Sequence, residues 1–442
     1  MLINPNRVSM AAVDRRMNAM RASAPRIAFM GDSNTDFSRN TNASQYQYTT
    51  TGYVHWLRRI ARQRFYMQPD YVTGISSMGT AHLLGVQVPQ VLSLSPRPNI
   101  AMVQIGTNDN GVLTTGDAVA SVLAAVRALN AGGIVVFLLS IVPQGTWNNA
   151  RKQWAAEVNR QYWLMAHDPA LAVRFVDLNP SYIDYATGSP IAAMQFNDQV
   201  HDTPTGGLTK AQRILAALEP FLPQGSELLP ATVADLYDPV LAPSGNMLDN
   251  GLFTGTGGTL SGAGASGQVA TGWQGVNSAP DASTVTVAFS KSVHPTLTGL
   301  PQQVMTVSGV GNNAAQFRFA RNFAALPAGL VAGNRVYAEM DVSWTNAVNI
   351  WQLWLRLSFY GATTREVMDG GTLTPAGTAQ VALPAAIGGI MRTPPLEIPP
   401  GATNCLVRLE GQTLTNGQPC SMTVAAGRAS LRRAGTTGLL AA

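Results

Sequence analysis

The run Arg26-Ile27-Ala28-Phe29-Met30-Gly31-Asp32-Ser33-Asn34 decides the fold. Its apolar centre, closed by a turn, has the pattern of a β-strand buried on both faces, as in a parallel sheet covered by helices. Gly31 permits a sharp turn that lifts Ser33 to the carboxyl end of the strand. Ligands of open α/β sheets bind beyond those carboxyl ends. A serine there meets substrate, and a nucleophile is the sharper reading. The plainer one gives Gly31 and Asp32 a turn and nothing more.

Outward from this run, β-rich stretches at 26–30, 70–73, 100–105, 134–139 and 173–178 alternate with helical ones near 53–65, 117–130, 149–165 and 209–218. The alternation predicts five strands in a flavodoxin-like, three-layer α/β/α fold. The third strand ends in Gly106-Thr107-Asn108-Asp109, a second loop on the same rim. Asn108 carries an N–H2 able to donate to a developing oxyanion; as ordinary caps, Asn108 and Asp109 would only start the next turn. After the fifth strand, Asp198-Gln199-Val200-His201 sets a carboxylate three residues before an imidazole. A serine hydroxyl needs a base to take its proton, and the base needs a partner that fixes its tautomer and stabilises the imidazolium. Asp198 and His201 meet both needs, or else form a solvated loop pair.

Taken together and in this order, the three segments resemble the conserved blocks of the SGNH (GDSL-type) hydrolase family, over roughly residues 24–222. The resemblance implies a serine esterase without cofactor or metal. Ser33 would be its nucleophile, His201 the base and Asp198 the partner of that base. The implied oxyanion hole joins the backbone N–H of Ser33 and Gly79 to the side chain of Asn108. The remaining family block falls on Thr73-Gly74-Ile75-Ser76-Ser77-Met78-Gly79, where Thr73 replaces the family's Asn. Gly79 is the expected oxyanion glycine and Gly74 the alternative. Because a histidine must be neutral to act as base, activity is expected to fall below a pH of about 6.5.

Pro223, Pro230, Pro239 and Pro243 mark a linker over 223–245. From 246 to 436, short alternating stretches separated by turn residues predict an all-β sandwich. Asn246-Met247-Leu248-Asp249-Asn250-Gly251-Leu252-Phe253, with Gly272-Trp273 further on, resembles the opening of jelly-roll carbohydrate-binding modules. Along Ile350–Tyr360, Trp351, Leu353, Leu355, Leu357 and Phe359 share one face, while Trp354 lies opposite them among Gln352, Arg356 and Ser358. Tyr337 alternates likewise with Arg335, Glu339 and Asp341. Aromatic rings on a polar face suit the apolar faces of sugars. Trp354 and Tyr337 are therefore expected to bind a saccharide, with a covering interface as the alternative. The expected substrate is an O-acetyl group on a polysaccharide. The rival readings are a lipase or broad short-chain esterase, and a phage tail or fibre component that binds glycan and carries esterase activity.

The 442 residues suggest two or three domains on a prior of roughly 100–200 residues each. A 46% hydrophobic content excludes a disordered chain. Charged residues make up 12%, against about 25% in ordinary soluble domains, so an uncharged polar surface of extracellular or virion-borne type is expected. The longest apolar run, 134–142, is far short of the ~20 residues of a membrane span. Met10, Val13, Met17 and Met20 after Ser9 predict an amphipathic helix within 1–23 rather than a signal peptide. The charge of +5, mostly arginine, lacks interleaved aromatics and argues against a nucleic-acid partner. Homo-oligomer or virion assembly fits the low charge. His55, His82, His167 and His294 have no metal-ligand spacing, and two cysteines exclude a disulfide framework. Cys405 and Cys420 form either one bridge or two buried thiols.

Overall fold

In a computed structural model, residues 25–41, 45–224, 229–230, 232–278, 283–311 and 315–435 are described. The helix expected within 1–23 lies outside them. β1 (Ile27–Gly31) is buried at every position. It is followed by β2 (Arg39–Thr41) and β3 (Gln45–Thr49), then by β4 (Ile100–Gln104), β5 (Val135–Leu139) and β6 (Val173–Val176). The fully buried strands β1, β4 and β5 continue into β6 as one parallel sheet of order β1-β4-β5-β6. Its helices are α1 (Ser33–Asp36), α2 (Tyr53–Ile60), α3 (Val88–Ser93), α4 (Thr115–Ala131), α5 (Asn149–Met165) and α6 (Pro204–Leu218). The longer ones start on side-chain caps: Thr114, Asn148 and Thr203 each accept a backbone N–H from the first turn of α4, α5 and α6.

The stretch 70–73, expected as a strand, is mostly not one. Pro69, with its fixed φ and missing N–H, opens a 3-10 turn over Pro69–Tyr71. What remains is a single bridge from Val72 to Phe29 and a bond from Thr73 N–H to the Phe29 carbonyl at 2.8 Å. The parallel sheet thus has four strands and an extended segment laid along β1.

A small hairpin, β7 (Ile183–Asp184) with β8 (Ser189–Pro190), precedes the second half. That half is all β among the described residues, apart from a 3-10 turn at Val233–Asp235. Its strands are β9 (Gly257–Ser261), β10 (Ala265–Gly267), β11 (Val269–Ser278), β12 (Thr286–Val293), β13 (Pro301–Val310) and β14 (Gln316–Phe323). The remaining strands are β15 (Arg335–Val348), β16 (Ile350–Gly361), β17 (Arg365–Gly371), β18 (Ile387–Arg392), β19 (Leu396–Glu397), β20 (Ala402–Thr413) and β21 (Pro419–Arg433). One sheet runs β10-β12-β13-β21-β15-β18, with β19 beside β15. The other runs β2-β3-β17-β16-β20-β14-β11-β9. The sheets touch where Gln303 of β13 accepts the Ala270 N–H of β11 at 2.9 Å. Between them Trp273 stacks on Phe319 at 4.4 Å, with Phe253 against both, so these aromatics are core.

Two strands of the first half therefore complete a sheet of the second. β3 lies parallel to β17 in the register Tyr46↔Val367, Gln47↔Met368, Tyr48↔Asp369. Helix α2 wedges beside them. His55 Nδ1 meets Asp369 Oδ1 at 2.9 Å, Arg58 reaches the same oxygen at 3.3 Å, and Arg59 donates to the Val342 carbonyl at 2.8 Å. Arg59 also lies 4.2 Å over the Trp344 ring.

Two expectations for the β half need correction. Tyr337 is fully buried and Trp354 is 4% exposed, so neither ring presents a face to a saccharide. Charged neighbours cover them. The Arg392 guanidinium, paired to Glu339 at 2.6 Å, stands 5.3 Å from the Tyr337 ring, and that of Arg356 stands 5.6 Å from Trp354. A polar face in sequence here is an ion-pair layer within the fold. Cys405 and Cys420 lie on β20 and β21, consecutive strands of different sheets, and are two free, buried thiols. Burial pushes the Cys405 thiol up to about 12.

Candidate active site

The turn after β1 is built by sterics. Gly31 has φ +152°, and a Cβ there would come 2.0 Å from the Gln104 carbonyl of β4. Asp32 then caps α1, its Oδ1 accepting the Asn34 N–H at 3.0 Å. Burial raises the Asp32 carboxyl above its ordinary range against the pull of that backbone bond. Ser33 is the first residue of α1 and is 8% exposed.

His201 comes from the loop before α6. Asp198 Oδ1 accepts the backbone N–H of Val200 at 2.9 Å and of His201 at 3.1 Å, with Gln199 at φ +59° making the turn. That closed loop leaves Asp198 Oδ2 2.7 Å from His201 Nδ1, while His201 Nε2 lies 3.0 Å from Ser33 Oγ. Partial burial works to raise the Asp198 carboxyl, but the Val200 N–H and the His201 ring outweigh it and hold it below the usual range. An ionised Asp198 accepts the hydrogen bond of a proton held on Nδ1, so Nε2 is left to accept from the Ser33 hydroxyl; this tautomer follows from the hydrogen-bond network.

Asn108 sits in a 3-10 turn, Thr107–Asp109, entered through Gly106 at φ +120°. Its Nδ2 donates one N–H to the Met78 carbonyl at 2.9 Å, and the second N–H of that nitrogen is available to a ligand. The neighbouring loop is fastened by Asp109, which accepts the Thr80 N–H at 2.8 Å. A Cβ on Gly79 would lie 2.1 Å from Asp109 Oδ1, so that approach requires glycine. A Cβ on Gly74 would lie 2.7 Å from the Asp36 N. The structure thus sets Gly79 against the Asn108 loop and Gly74 against the end of α1.

Three features of this half went unread in the sequence. The Phe37 ring lies 4.4 Å from the His201 ring at an interplanar angle of 37°. Lys210 and Asp202 pair at 2.7 Å with both side chains at most 1% exposed, and the Tyr182 hydroxyl donates to Asp202. A lysine among Leu208, Ala211 and Ile214 on the buried face of α6 was the available signal for that pair. On the rim beyond β5, a cavity of about 310 Å³ is lined by Ile141, Pro143, Ala155, Ala156 and Ile183, among others. Among the described residues no cluster of three His, Cys, Asp or Glu could hold a metal.

Residues 29–207 match the GDSL-like lipase/acylhydrolase family. Among solved structures, a GDSL-like lipase from Bacteroides thetaiotaomicron is 18% identical over 47% of this chain and 98% of its own, with a TM-score of 0.34. A member of the lipolytic protein G-D-S-L family from Veillonella parvula is 16% identical over 44% of this chain and 99% of its own, with a TM-score of 0.36. An acetyl xylan esterase is 16% identical over the same two shares, 44% and 99%, with a TM-score of 0.35. No curated protein matches the chain.

Proposed function

From a chain whose residues 29–207 form a GDSL-like lipase/acylhydrolase domain, we propose that Ser33, His201 and Asp198 hydrolyse carboxylic esters through an acyl-enzyme. The observation that carries this reading is the continuous chain from Ser33 Oγ to His201 Nε2 at 3.0 Å and from His201 Nδ1 to Asp198 at 2.7 Å. Ser33 attacks the carbonyl carbon while His201 takes the hydroxyl proton. The tetrahedral oxyanion is met by the N–H of Ser33 and Gly79 and by Asn108. His201 then gives its proton to the departing alcohol, and water, deprotonated by the same ring, releases the acid.

The substrate we propose is an O-acetyl group on a polysaccharide, with residues 24–222 as the catalytic unit, 223–245 as linker and 246–436 as a β region that engages glycan through surfaces other than Trp354 and Tyr337. The low charge of the chain supports a virion tail or extracellular setting. The apolar cavity beside Ile141 favours a second reading, in which longer acyl chains are taken. Acetate release from acetylated glycans, set beside p-nitrophenyl esters of increasing chain length and with Ser33→Ala as blank, tests both. Rates that fall steadily beyond acetyl support the first, rates that peak at longer chains support the second, and hydrolysis undiminished in Ser33→Ala removes both.

A further inference from the structure

We propose that the segment Thr372-Leu373-Thr374-Pro375-Ala376-Gly377-Thr378-Ala379-Gln380 of the β half is the specificity lip of the ester site, placed to hold the alcohol side of a neutral, hydroxyl-rich substrate. This rests on the esterase reading above and deepens it. The segment leaves β17, the strand that pairs with β3. It is fastened at two places to the first half. At its start, Thr372 Oγ1 meets Thr50 Oγ1 at 2.7 Å and the Leu373 N–H donates to Thr51 Oγ1 at 3.1 Å. Toward its end, the Ala379 N–H donates to Asn197 Oδ1 at 3.4 Å.

Each anchor adjoins a structure that holds the catalytic imidazole. Asn197 immediately precedes Asp198, whose carboxylate binds His201 Nδ1. Thr51 follows Thr49, whose N–H bonds the Ser38 carbonyl at 3.0 Å and whose hydroxyl donates to the carbonyl of Phe37, the ring against His201. The segment therefore runs from the Phe37 side of the imidazole to the Asp198 side. Between the anchors it is a closed turn: the Thr378 N–H and hydroxyl both donate to the Pro375 carbonyl, at 3.0 and 2.7 Å, and Gly377 has φ +76°.

Its chemistry selects the ligand class. From Gly371 to Ala385 there is no charged side chain. Ala376, Gly377 and Ala379 are exposed and small, with the hydroxyl and amide groups of Thr378, Gln380 and Asn197 around them. An anionic substrate calls for Arg or Lys, and an acyl tail calls for an apolar wall of the kind that lines the cavity by Ile141. Small residues that leave backbone open, edged by neutral donors and acceptors, fit a polyol such as a sugar chain.

The test uses the full-length chain, acetylated xylan and p-nitrophenyl acetate. In Ala379→Trp and, separately, Ala376→Trp, the ratio of kcat/KM on acetylated xylan to that on p-nitrophenyl acetate is expected to fall about tenfold or more, chiefly through KM, because a bulky ring on the lip rejects a large alcohol. Both sites are exposed, and circular dichroism checks each fold. A ratio within about twofold of wild type in both variants overturns the assignment, since discrimination by a lip cannot survive its being filled. Lack of any Ser33-dependent hydrolysis of either substrate by the wild-type chain overturns the esterase reading, and this one with it.

Discussion

At Ser33 the proposed chemistry depends on a few tenths of an ångström set by the loop around Asp198, which uses one carboxylate oxygen for its own backbone and the other for His201. In Asp198→Asn an amide faces Nδ1 and the wrong tautomer is held, so turnover should drop by on the order of 10⁴ while KM stays near wild type. Steady-state kinetics would show it, and a loss under tenfold would contradict the role. Asn108→Ala removes a single oxyanion donor, typically about 2.7–4 kcal/mol, and should lower kcat about 100-fold or more without unfolding the chain. Both residues were legible because their chemistry sits in short contiguous blocks. Phe37 was not, since nothing local says that a residue four past the serine will meet a ring from position 201.

Among the elements, α6 has the most informative arrangement. Its start is fixed by Thr203, which accepts the Gly206 N–H, and by Pro204 at the first helical position. Its buried Lys210 then neutralises Asp202, the residue after His201. Replacing Lys210 by Met strands a buried carboxylate, at a cost of about 3–5 kcal/mol. Urea denaturation should show the midpoint falling accordingly, whereas an unchanged midpoint would mean the pair is solvated. The long helices were readable from apolar spacing and their caps. The β2–β3 hairpin was not, although Gln45-Tyr46-Gln47-Tyr48-Thr49 alternates as a strand does, because its partner strand lies some 320 residues away in sequence.

For the molecule as a whole, α2 and β3 tie the two halves into one packed body. His55, facing Asp369, Arg58 and Arg59, is kept below its ordinary value by burial, against the opposing pull of Asp369. The unfolded chain protonates this histidine below a pH of about 6.5 and the fold resists doing so, so stability falls as pH drops through that range. Asp369 is held low despite its burial by His55 and Arg58, and its share is lost only at more acid pH. Melting temperature should therefore decline more from pH 7.5 to 5.5 in the wild type than in His55→Gln; parallel declines would refute the linkage. A chain ending near 224 should be aggregated by size-exclusion chromatography, because the buried face of α2 and an edge of β3 lose their cover.

The amino-acid order by itself determined the parallel-sheet scaffold, the rim at its carboxyl ends, and the residues brought there from three separate loops. The scaffold and its rim follow from local periodicity and from turn residues whose backbone demands act within a few positions, and the residues at the rim from the resemblance of three short blocks to a known family. Tertiary structure alone decided that Tyr337 and Trp354 lie buried beneath arginines, that two cysteines of consecutive strands part into different sheets, and that strands near position 45 belong with the β half. Which face of a strand is covered, and by what, depends on partners hundreds of residues distant, and no local pattern carries that information.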